Sequence, residues 1–202
     1  SFFSQKGIIT HLLLLFFFYS GIICILAMLK PYLVDTGFST KEIGIISGLI
    51  GTGAAGVTAL GAGWLIKRLE RTTVMKIYLF CSLTIALFFV CITYQPMHSY
   101  FIYIGIVFLW MTYGLSTVTI YTTAMDRVRP GKEGTDFTIQ IVLTHLSSLI
   151  IATQSGWIAG SLGYRGLFYI EAVLVLITFI VLSTYKTRIK KHERIKIINP
   201  EI

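Results

Sequence analysis

The sequence predicts an all-α membrane protein with six transmembrane helices, arranged as two inverted three-helix repeats. Three observations support this fold class. Of the 202 residues, 55% are hydrophobic and only 13% are charged, and the mean hydropathy is +0.79. Soluble domains carry about 25% charged residues. Six long apolar segments follow one another along the chain, and the loops between them alternate between many and few basic residues.

Each apolar segment has the length of a membrane-spanning helix, since about 20 apolar residues cross a bilayer. The predicted helices are 8–30, 43–66, 73–94, 99–122, 137–161 and 167–185. They form one bundle over residues 1–186, followed by a basic tail over 187–202, and no room is left for a separate soluble domain. The first residue is Ser1 rather than Met, which suggests a fragment or a processed chain.

Basic residues concentrate on one side of the predicted membrane. Fourteen of the 17 lie there, and only Lys30, Lys41 and Arg165 lie on the other side. Because cytoplasmic loops are enriched in Lys and Arg, both termini are predicted to be cytoplasmic. The tail from Lys186 to Lys196 is expected to lie on the anionic inner leaflet. The net charge of +8 therefore reflects membrane orientation, and nucleic-acid binding is not expected.

Two patterns in the apolar segments bear on helix packing. Gly63-Trp64 ends the second helix and Gly156-Trp157 ends the fifth, 93 residues later, which suggests a three-helix repeat. Inverted repeats are a transporter feature, with the substrate site near the bilayer midplane. Small residues also recur every four positions in helix two, a spacing that suits either static packing or rocking against a partner helix. These residues are Gly44, Gly48, Thr52 and Gly56.

The loop after helix two resembles a known signature. Residues 63–72, GWLIKRLERT, resemble the Gly-x-x-x-Asp-Arg-x-Gly-Arg-Arg loop of the major facilitator superfamily. Gly63, Arg68 and Arg71 match, whereas Lys67 replaces the Asp and Glu70 replaces the second Gly. A copy that departs in this way is more similar to a C-terminal half than to an N-terminal one. The resemblance implies a C-terminal six-helix half of a major-facilitator fold that transports a solute by alternating access.

A second loop resembles a narrower group of permeases. Residues 126–140, DRVRPGKEGTDFTIQ, are similar to the corresponding loop of siderophore permeases of the rhizobactin and pyochelin type, and of related muropeptide permeases. The resemblance implies import of an iron chelate across a bacterial inner membrane. A proton-coupled exporter and a muropeptide permease of the same superfamily are the alternatives. The implied partners are membrane lipid, a small-molecule substrate and a missing N-terminal half, or failing that a second copy.

Polar residues within the apolar segments are the candidates for solute binding, because placing them against lipid is costly. Aromatic hydroxyls offer a bulky organic solute both apolar area and hydrogen bonds. In the superfamily the first helix of each three-helix unit lines the cavity, which indicates helices one and four. The polar face of helix five is expected to turn toward the cavity or the missing half. The candidates are Tyr19, Tyr113, Thr117, Gln140 and Thr144. For Tyr19 the alternative is a hydroxyl bonded to a neighbouring helix.

His145 and Glu171 are the candidates for proton coupling. The ordinary pKa of histidine lies near physiological pH, although a helical histidine also suits a neutral hydrogen-bonded role. Glu171 is expected one turn into the last helix near the outer surface, where it reaches outward or pairs with Arg165.

Charged residues in the two basic loops are candidates for a gate that opens and closes through ion pairs. They are Arg68, Arg71, Asp126, Arg127 and Asp136. Asp126 is expected to pair locally with Arg127 or Arg129. Asp136 opens helix five, where a carboxylate favours the helix N-terminus.

Other protein classes find little support. The three cysteines lack CxxC spacing and a neighbouring His, so they are predicted to pack as small residues, with no metal or cofactor site. An intramembrane serine protease would need a GxSG-type turn and a His on a later helix, and the last predicted helix has no His. The sequence therefore predicts no enzyme. A membrane scaffold is the further alternative, and the polar face of helix five argues against it.

Overall fold

This computed structural model describes residues 2–5, 7–94 and 99–198. For Ser4 and residues 184–198 it describes the backbone alone. Within these residues all regular elements are helices. The elements, in chain order, are a short 3-10 turn (Phe2–Ser4), α1 (Ile8–Phe18), α2 (Ser20–Asp35), α3 (Thr40–Ile43), a π-helix (Gly44–Gly51), α4 (Thr52–Arg68), α5 (Arg71–Ile92), α6 (Ser99–Met125) and α7 (Glu133–Ile198). The expected contacts of the basic tail with lipid concern side chains that lie outside the described residues.

Five stretches are long and apolar enough to cross a membrane, judged on the described residues alone. They are Ile8–Asp35, Thr40–Arg68, Arg71–Ile92, Ser99–Met125 and Glu133–Ser183. The first four correspond to predicted helices one to four. Predicted helices five and six fall together in the fifth stretch, which at 51 residues is more than twice the length of about 20 residues that crosses a bilayer.

The chain within α7 turns back on itself at Gly163, whose φ of 69° and ψ of 174° are not helical. The Ser147 hydroxyl donates to the Phe16 carbonyl, and the Thr178 hydroxyl donates to the adjacent Phe17 carbonyl at 3.2 Å. Along a straight helix Ser147 and Thr178 would stand about 46 Å apart. The two parts of α7 therefore lie side by side against α1, and glycine takes the positive φ of the turn without strain.

We call residues 133–162 the first limb of α7 and residues 164–198 its second limb. The turn between them packs on the end of α2, because the Tyr164 hydroxyl donates to the Asp35 carboxylate at 2.5 Å. This contact places the turn at the end of the bundle opposite the loop between α6 and α7.

The first span is longer than the sequence predicted. α2 continues to Asp35, past the predicted end at Lys30, because Pro31 lies inside the helix rather than after it. A proline within a helix leaves the carbonyl four residues earlier, here that of Ala27, without its backbone donor. Membrane helices tolerate this loss because neighbouring groups satisfy the freed carbonyl.

The most buried part of the core lies where α2, α5 and the second limb meet. Tyr32, Phe89 and Phe168 pack there with ring centroids 5.2 to 6.3 Å apart, in edge-on or tilted arrangements, as aromatic quadrupoles favour. The fully buried Tyr78 donates to the Phe18 carbonyl at 2.9 Å and so connects α5 to the end of α1. These contacts hold the back of the bundle together.

α4 packs on α6 through small residues. A Cβ added at Gly114 would overlap the backbone carbonyl of Ala55, and a Cβ at Gly51 would overlap the ring of Trp110. Such close approach favours association in lipid, where apolar surface alone gives no preference for a helix over a lipid tail. The contact between α4 and α6 therefore depends on glycine at these two positions.

The small-residue stripe predicted for helix two faces away from this contact. Among the described residues, nothing lies within 4 Å of a Cβ built at Gly44, Gly48 or Gly56. Only 22% of the most apolar window of Thr40–Arg68 is buried, against 56% for Ile8–Asp35. Static packing thus uses the neighbouring face of the helix, and the stripe is left open.

We expect the substitution Gly114→Ala to destabilise the helical bundle by about 1–3 kcal/mol, the usual cost of overpacking. Gly53→Ala is the matched control, because a Cβ at Gly53 meets open space on the same helix pair. Thermal unfolding of the purified protein in detergent measures both. Equal melting temperatures for the two variants would contradict the close approach of α4 to α6.

Candidate functional site

A cavity of about 830 Å³ lies between four helical stretches. On α2, Ile23, Leu26, Ala27 and Lys30 line it with the i, i+3, i+4, i+7 spacing of one helical face. The described residues of α5 and of the second limb contribute nothing to its lining. The other lining residues are Thr40, Ile43, Gly44, Ser47, Gly48 and Thr52 beside α2, Trp110 and Tyr113 on α6, and His145, Ser148, Leu149 and Ala152 on the first limb.

The π-helix shapes one wall of the cavity. Gly44 and Gly48 carry no side chain, so this wall recedes where it faces α2. The Thr52 hydroxyl donates back to the Gly48 carbonyl and leaves the cavity face of the helix otherwise unobstructed. π-helical turns are rare and occur frequently at functional sites. The local sequence therefore creates the space that the cavity occupies.

The cavity is mainly apolar, with a few polar groups that lack partners. Ser47 is only 2% exposed, and its hydroxyl has no hydrogen-bond partner among the described residues. The indole N–H of Trp110 is also buried without a partner in this part of the chain. Buried polar groups are normally paired. Both atoms have almost no accessible surface, so they lie within the wall rather than on the surface that a solute would contact.

Three predicted site residues lie together at one end of the cavity. Tyr113 lines the cavity, and the Tyr19 ring lies 5.8 Å from the Tyr113 ring. The Tyr19 and Thr117 hydroxyls are 2.8 Å apart. Because Thr117 donates its own proton to the Tyr113 carbonyl at 3.0 Å, Tyr19 is the donor of this bond. The pair lies one helical turn below Ile23 and Tyr113 and connects the first span to α6.

Gln140 and Thr144 lie inside the bundle, away from the cavity lining. The Gln140 amide accepts from His11 Nε2 at 2.8 Å and donates to the carbonyls of Ala124 and Asp136 at 3.0 Å each. Thr144 donates to the Gln140 carbonyl at 2.9 Å. The structure therefore places these two predicted site residues within the bundle, apart from the described cavity lining. His145 and Ser148, on a neighbouring face of the same helix, do line the cavity.

Several buried hydroxyl groups donate hydrogen bonds to the first span near Tyr19, where its helix is interrupted. The last carbonyls of a helix have no intrahelical donor, and α1 ends at Phe18. Hydroxyl groups from three other stretches donate to these carbonyls. They are Ser147 to Phe16, Thr178 to Phe17 and Tyr78 to Phe18. Sequence reasoning missed this role because nothing local marks Tyr19 as a helix break.

A family model described as the Major Facilitator Superfamily matches residues 11–199, which is nearly the whole chain. The chain belongs to the major facilitator superfamily. It is therefore an integral membrane protein of a transporter family, and the resemblance seen in the loop after helix two is confirmed at the level of the superfamily.

Two ion pairs lie at the end of this superfamily member that carries the basic loops. Arg71 Nε donates to Asp126 at 2.8 Å, and Arg129 forms a two-point pair with Asp136 in which both bonds are 2.7 Å. Asp126 thus pairs with Arg71 at the start of α5, and Arg129, one of its two expected local partners, pairs with Asp136. The hydrogen-bonded Asp136 carboxylate raises the pKa of Arg129 above its ordinary value.

The other two residues predicted for a gate make different contacts. The Arg68 guanidinium lies over the Trp64 ring at 5.2 Å. Arg127 lies within electrostatic reach of His11. The structure therefore brings three of the five predicted gate residues into ion pairs, with Arg129 as an additional member.

Glu171 does not lie near the outer surface or beside Arg165, as the sequence suggested. It is completely buried about 12 Å along the second limb from Gly163. Its Oε1 would lie 3.5 Å from a Cβ at Gly21, and the Cys24 thiol is its polar neighbour. Neither carboxylate oxygen makes a hydrogen bond of ordinary geometry with the described residues. Arg165 instead donates to the Thr93 carbonyl at 2.8 Å.

We expect Tyr19→Phe and Thr117→Val to be coupled in a double-mutant cycle. The hydroxyl bond between them should contribute about 1 kcal/mol to the free energy of unfolding, so the double variant should lose about that much less than the two single variants added together. Equilibrium unfolding in detergent measures the coupling. Additive losses would mean that the two hydroxyls do not contact each other in the folded protein.

Proposed function

We propose that the chain is a six-helix half of a permease, and that it transports a small organic solute by alternating access. The cavity is the observation that carries the proposal. Its volume of about 830 Å³ lies within the range of roughly 300–1,000 Å³ found for small-molecule sites. Its wall also holds the unpaired Ser47 hydroxyl.

We propose six membrane crossings arranged as two inverted three-helix repeats. The reversal at Gly163 supports the count, because each limb of α7 then provides one crossing. The lining of the cavity supports the repeat. The first two helices of each proposed unit face the cavity, whereas α5 and the second limb, the third helix of each unit, lie behind. The distribution of basic residues supports cytoplasmic termini in a bacterial inner membrane.

A second six-helix unit is proposed to complete the pathway. Alternating access in this superfamily takes place between two halves that rock against each other. The open space at Gly56, which lies outside the cavity lining, and the low burial of Thr40–Arg68 offer a surface for that unit. An N-terminal half in the same polypeptide is the favoured partner, and a second copy of this chain is the alternative. Surrounding lipid covers the remaining apolar surface.

The proposed solute is an iron–siderophore complex, imported into the cell. Support comes from residues 126–140, whose loop is similar to that of siderophore permeases. A muropeptide permease and a proton-coupled exporter are the alternatives. His145 in the cavity wall and the buried Glu171 are the groups that proton coupling would use. The ion pairs Arg71–Asp126 and Arg129–Asp136 are proposed to break and reform as the cytoplasmic side opens.

We expect Gly48→Phe to abolish uptake in the full-length protein, since a phenyl ring at Gly48 would occupy the cavity. Gly53→Phe is the control on the same helix, because Gly53 does not line the cavity. Uptake of radioiron-labelled ferric rhizobactin and pyochelin by proteoliposomes is the measurement. Equal uptake by both variants would contradict the assignment of the cavity. If the wild-type protein takes up neither chelate but does take up another solute, only the siderophore assignment fails.

We expect single cysteines at Lys41 and Arg165 to react with a membrane-impermeant maleimide on intact cells, in a protein whose native cysteines have been replaced. Cysteines at Lys132 and Lys190 should react only after the cells are permeabilised. Labelling at Lys132 and Lys190 but not at Lys41 or Arg165 in intact cells would reverse the proposed orientation. Labelling at both Lys41 and Lys190 would indicate five crossings rather than six.

A further inference from the structure

Lys30 occupies an unusual place in the cavity. Among the described residues that line it, Lys30 alone carries a permanent charge, and none is an Asp or Glu. A lysine near the end of a membrane helix commonly extends to the membrane surface as an anchor. Here, however, it shares one face of α2 with Ile23, Leu26 and Ala27, which also line the cavity. Lys30 is exposed, and it is one of the residues that line the cavity.

The acidic groups closest to Lys30 in the sequence are engaged elsewhere. Asp35 accepts the hydroxyl proton of Tyr164 at 2.5 Å. Glu42 accepts from the backbone N–H of Ser39 at 2.9 Å in a capping box. Neither ion pair found within the described part of the chain involves Lys30. Lys30 therefore lines the cavity without an ion pair to either of these acidic groups.

The other lining residues have a chemistry that fits a solute bound through Lys30. The Ser47 hydroxyl is buried in the wall without a partner, and the indole of Trp110 can only donate. Both of these polar atoms lie beneath the cavity surface, so Lys30 is the charged donor that the described lining exposes, and no carboxylate is present among those residues to pair with it. The Trp110 and Tyr113 rings, 5.7 Å apart and nearly perpendicular, add apolar faces. Such a wall suits a ligand with an acceptor-rich negative end and an apolar body.

We infer that the cavity selects organic anions, and that Lys30 binds the carboxylate or another anionic group of the solute. The inference rests on the proposed transport function and specifies the solute class for the same cavity. Lys30 lies about 33 Å along the first span from Ile8, at the end of the bundle opposite the basic loops. An anion that enters from this end meets Lys30 before the aromatic residues deeper in the cavity.

Matched pairs of probes test this inference. Each pair shares one aromatic body and differs in charge, as do phenylacetate and phenylacetamide, or 1-naphthylacetate and 1-naphthylacetamide. Binding of the radiolabelled compounds to the purified full-length protein in lipid nanodiscs gives Kd for each. We expect the carboxylates to bind about tenfold more tightly than the amides, since a hydrogen bond to a charged group contributes about 1.5–3 kcal/mol and tenfold in Kd is about 1.4 kcal/mol.

Three variants show whether Lys30 is the cause. Lys30→Gln should remove the preference for carboxylates, so that each carboxylate binds no more tightly than its amide, and an unchanged melting temperature reports that the variant is folded. Lys30→Arg should keep most of the preference. Lys41→Gln, which removes a charge from the same end of the bundle outside the cavity lining, should keep all of it. A preference that persists in Lys30→Gln, or that is absent from the wild type, overturns the inference.

Uptake by proteoliposomes separates this inference from the proposed function. If the wild-type protein transports an amide at the same rate as the matching carboxylate, the transport function stands and the selection of anions is wrong. If it binds none of the probes and transports neither them nor the ferric siderophores, the proposed function fails and the inference fails with it.

Discussion

The break in the first span at Tyr19 is the constraint on which the rest of the bundle depends. Three successive carbonyls at the end of α1, those of Phe16 to Phe18, accept hydroxyl protons from other helices, and that of Phe17 also accepts from the nearby Ser20 hydroxyl at 2.6 Å. Hydroxyl groups from α5 and from both limbs of α7 donate to them, so these stretches must converge on one point of the first span. Tyr19 itself donates to Thr117 on α6. One local irregularity thus brings four other helical segments into contact with the first, and the cavity lies immediately above it.

Much of the fold could be predicted from hydropathy, because the length of an apolar segment in lipid is set by the bilayer. The first four spans agree with the sequence to within a few residues, apart from the extension of α2 through Pro31. The last two predicted helices appear as one long helix with a turn at Gly163. The gap that the sequence predicted between them, residues 162–166, contains this turn. The packing of α4 on α6 also differed from expectation. Several faces of helix two carry small residues, and only the facing helix determines which of them is used.

The candidate site was predictable where aromatic hydroxyls occur on helices that the superfamily resemblance marked, and Tyr19, Tyr113 and Thr117 do lie together. The site was less predictable where a polar residue could face either the cavity or the interior of the bundle. Gln140 and Glu171 are as polar as any cavity residue, yet both lie within the bundle because of the rotation of their helices. The rotation depends on contacts with distant parts of the chain, such as His11 and Gly21, which helical spacing does not reveal. Ser47 and Lys30 could have been noticed from their positions on the faces of helices two and one that also carry Gly44 and Ile23.

The presence of one lysine and no acidic residue in the cavity wall has a consequence for the energetics of the transport cycle. Considering only the described residues, the empty cavity carries one positive charge, whereas a cavity that holds a monoanion carries none. Moving one charge through 100 mV changes the free energy by about 2.3 kcal/mol. The membrane potential therefore acts on the reorientation of the empty carrier and has little effect on that of the loaded one. In a cell whose interior is negative, the voltage would drive the positively charged empty site inward and oppose its return, so the return of the empty carrier would be the voltage-sensitive step of an import cycle.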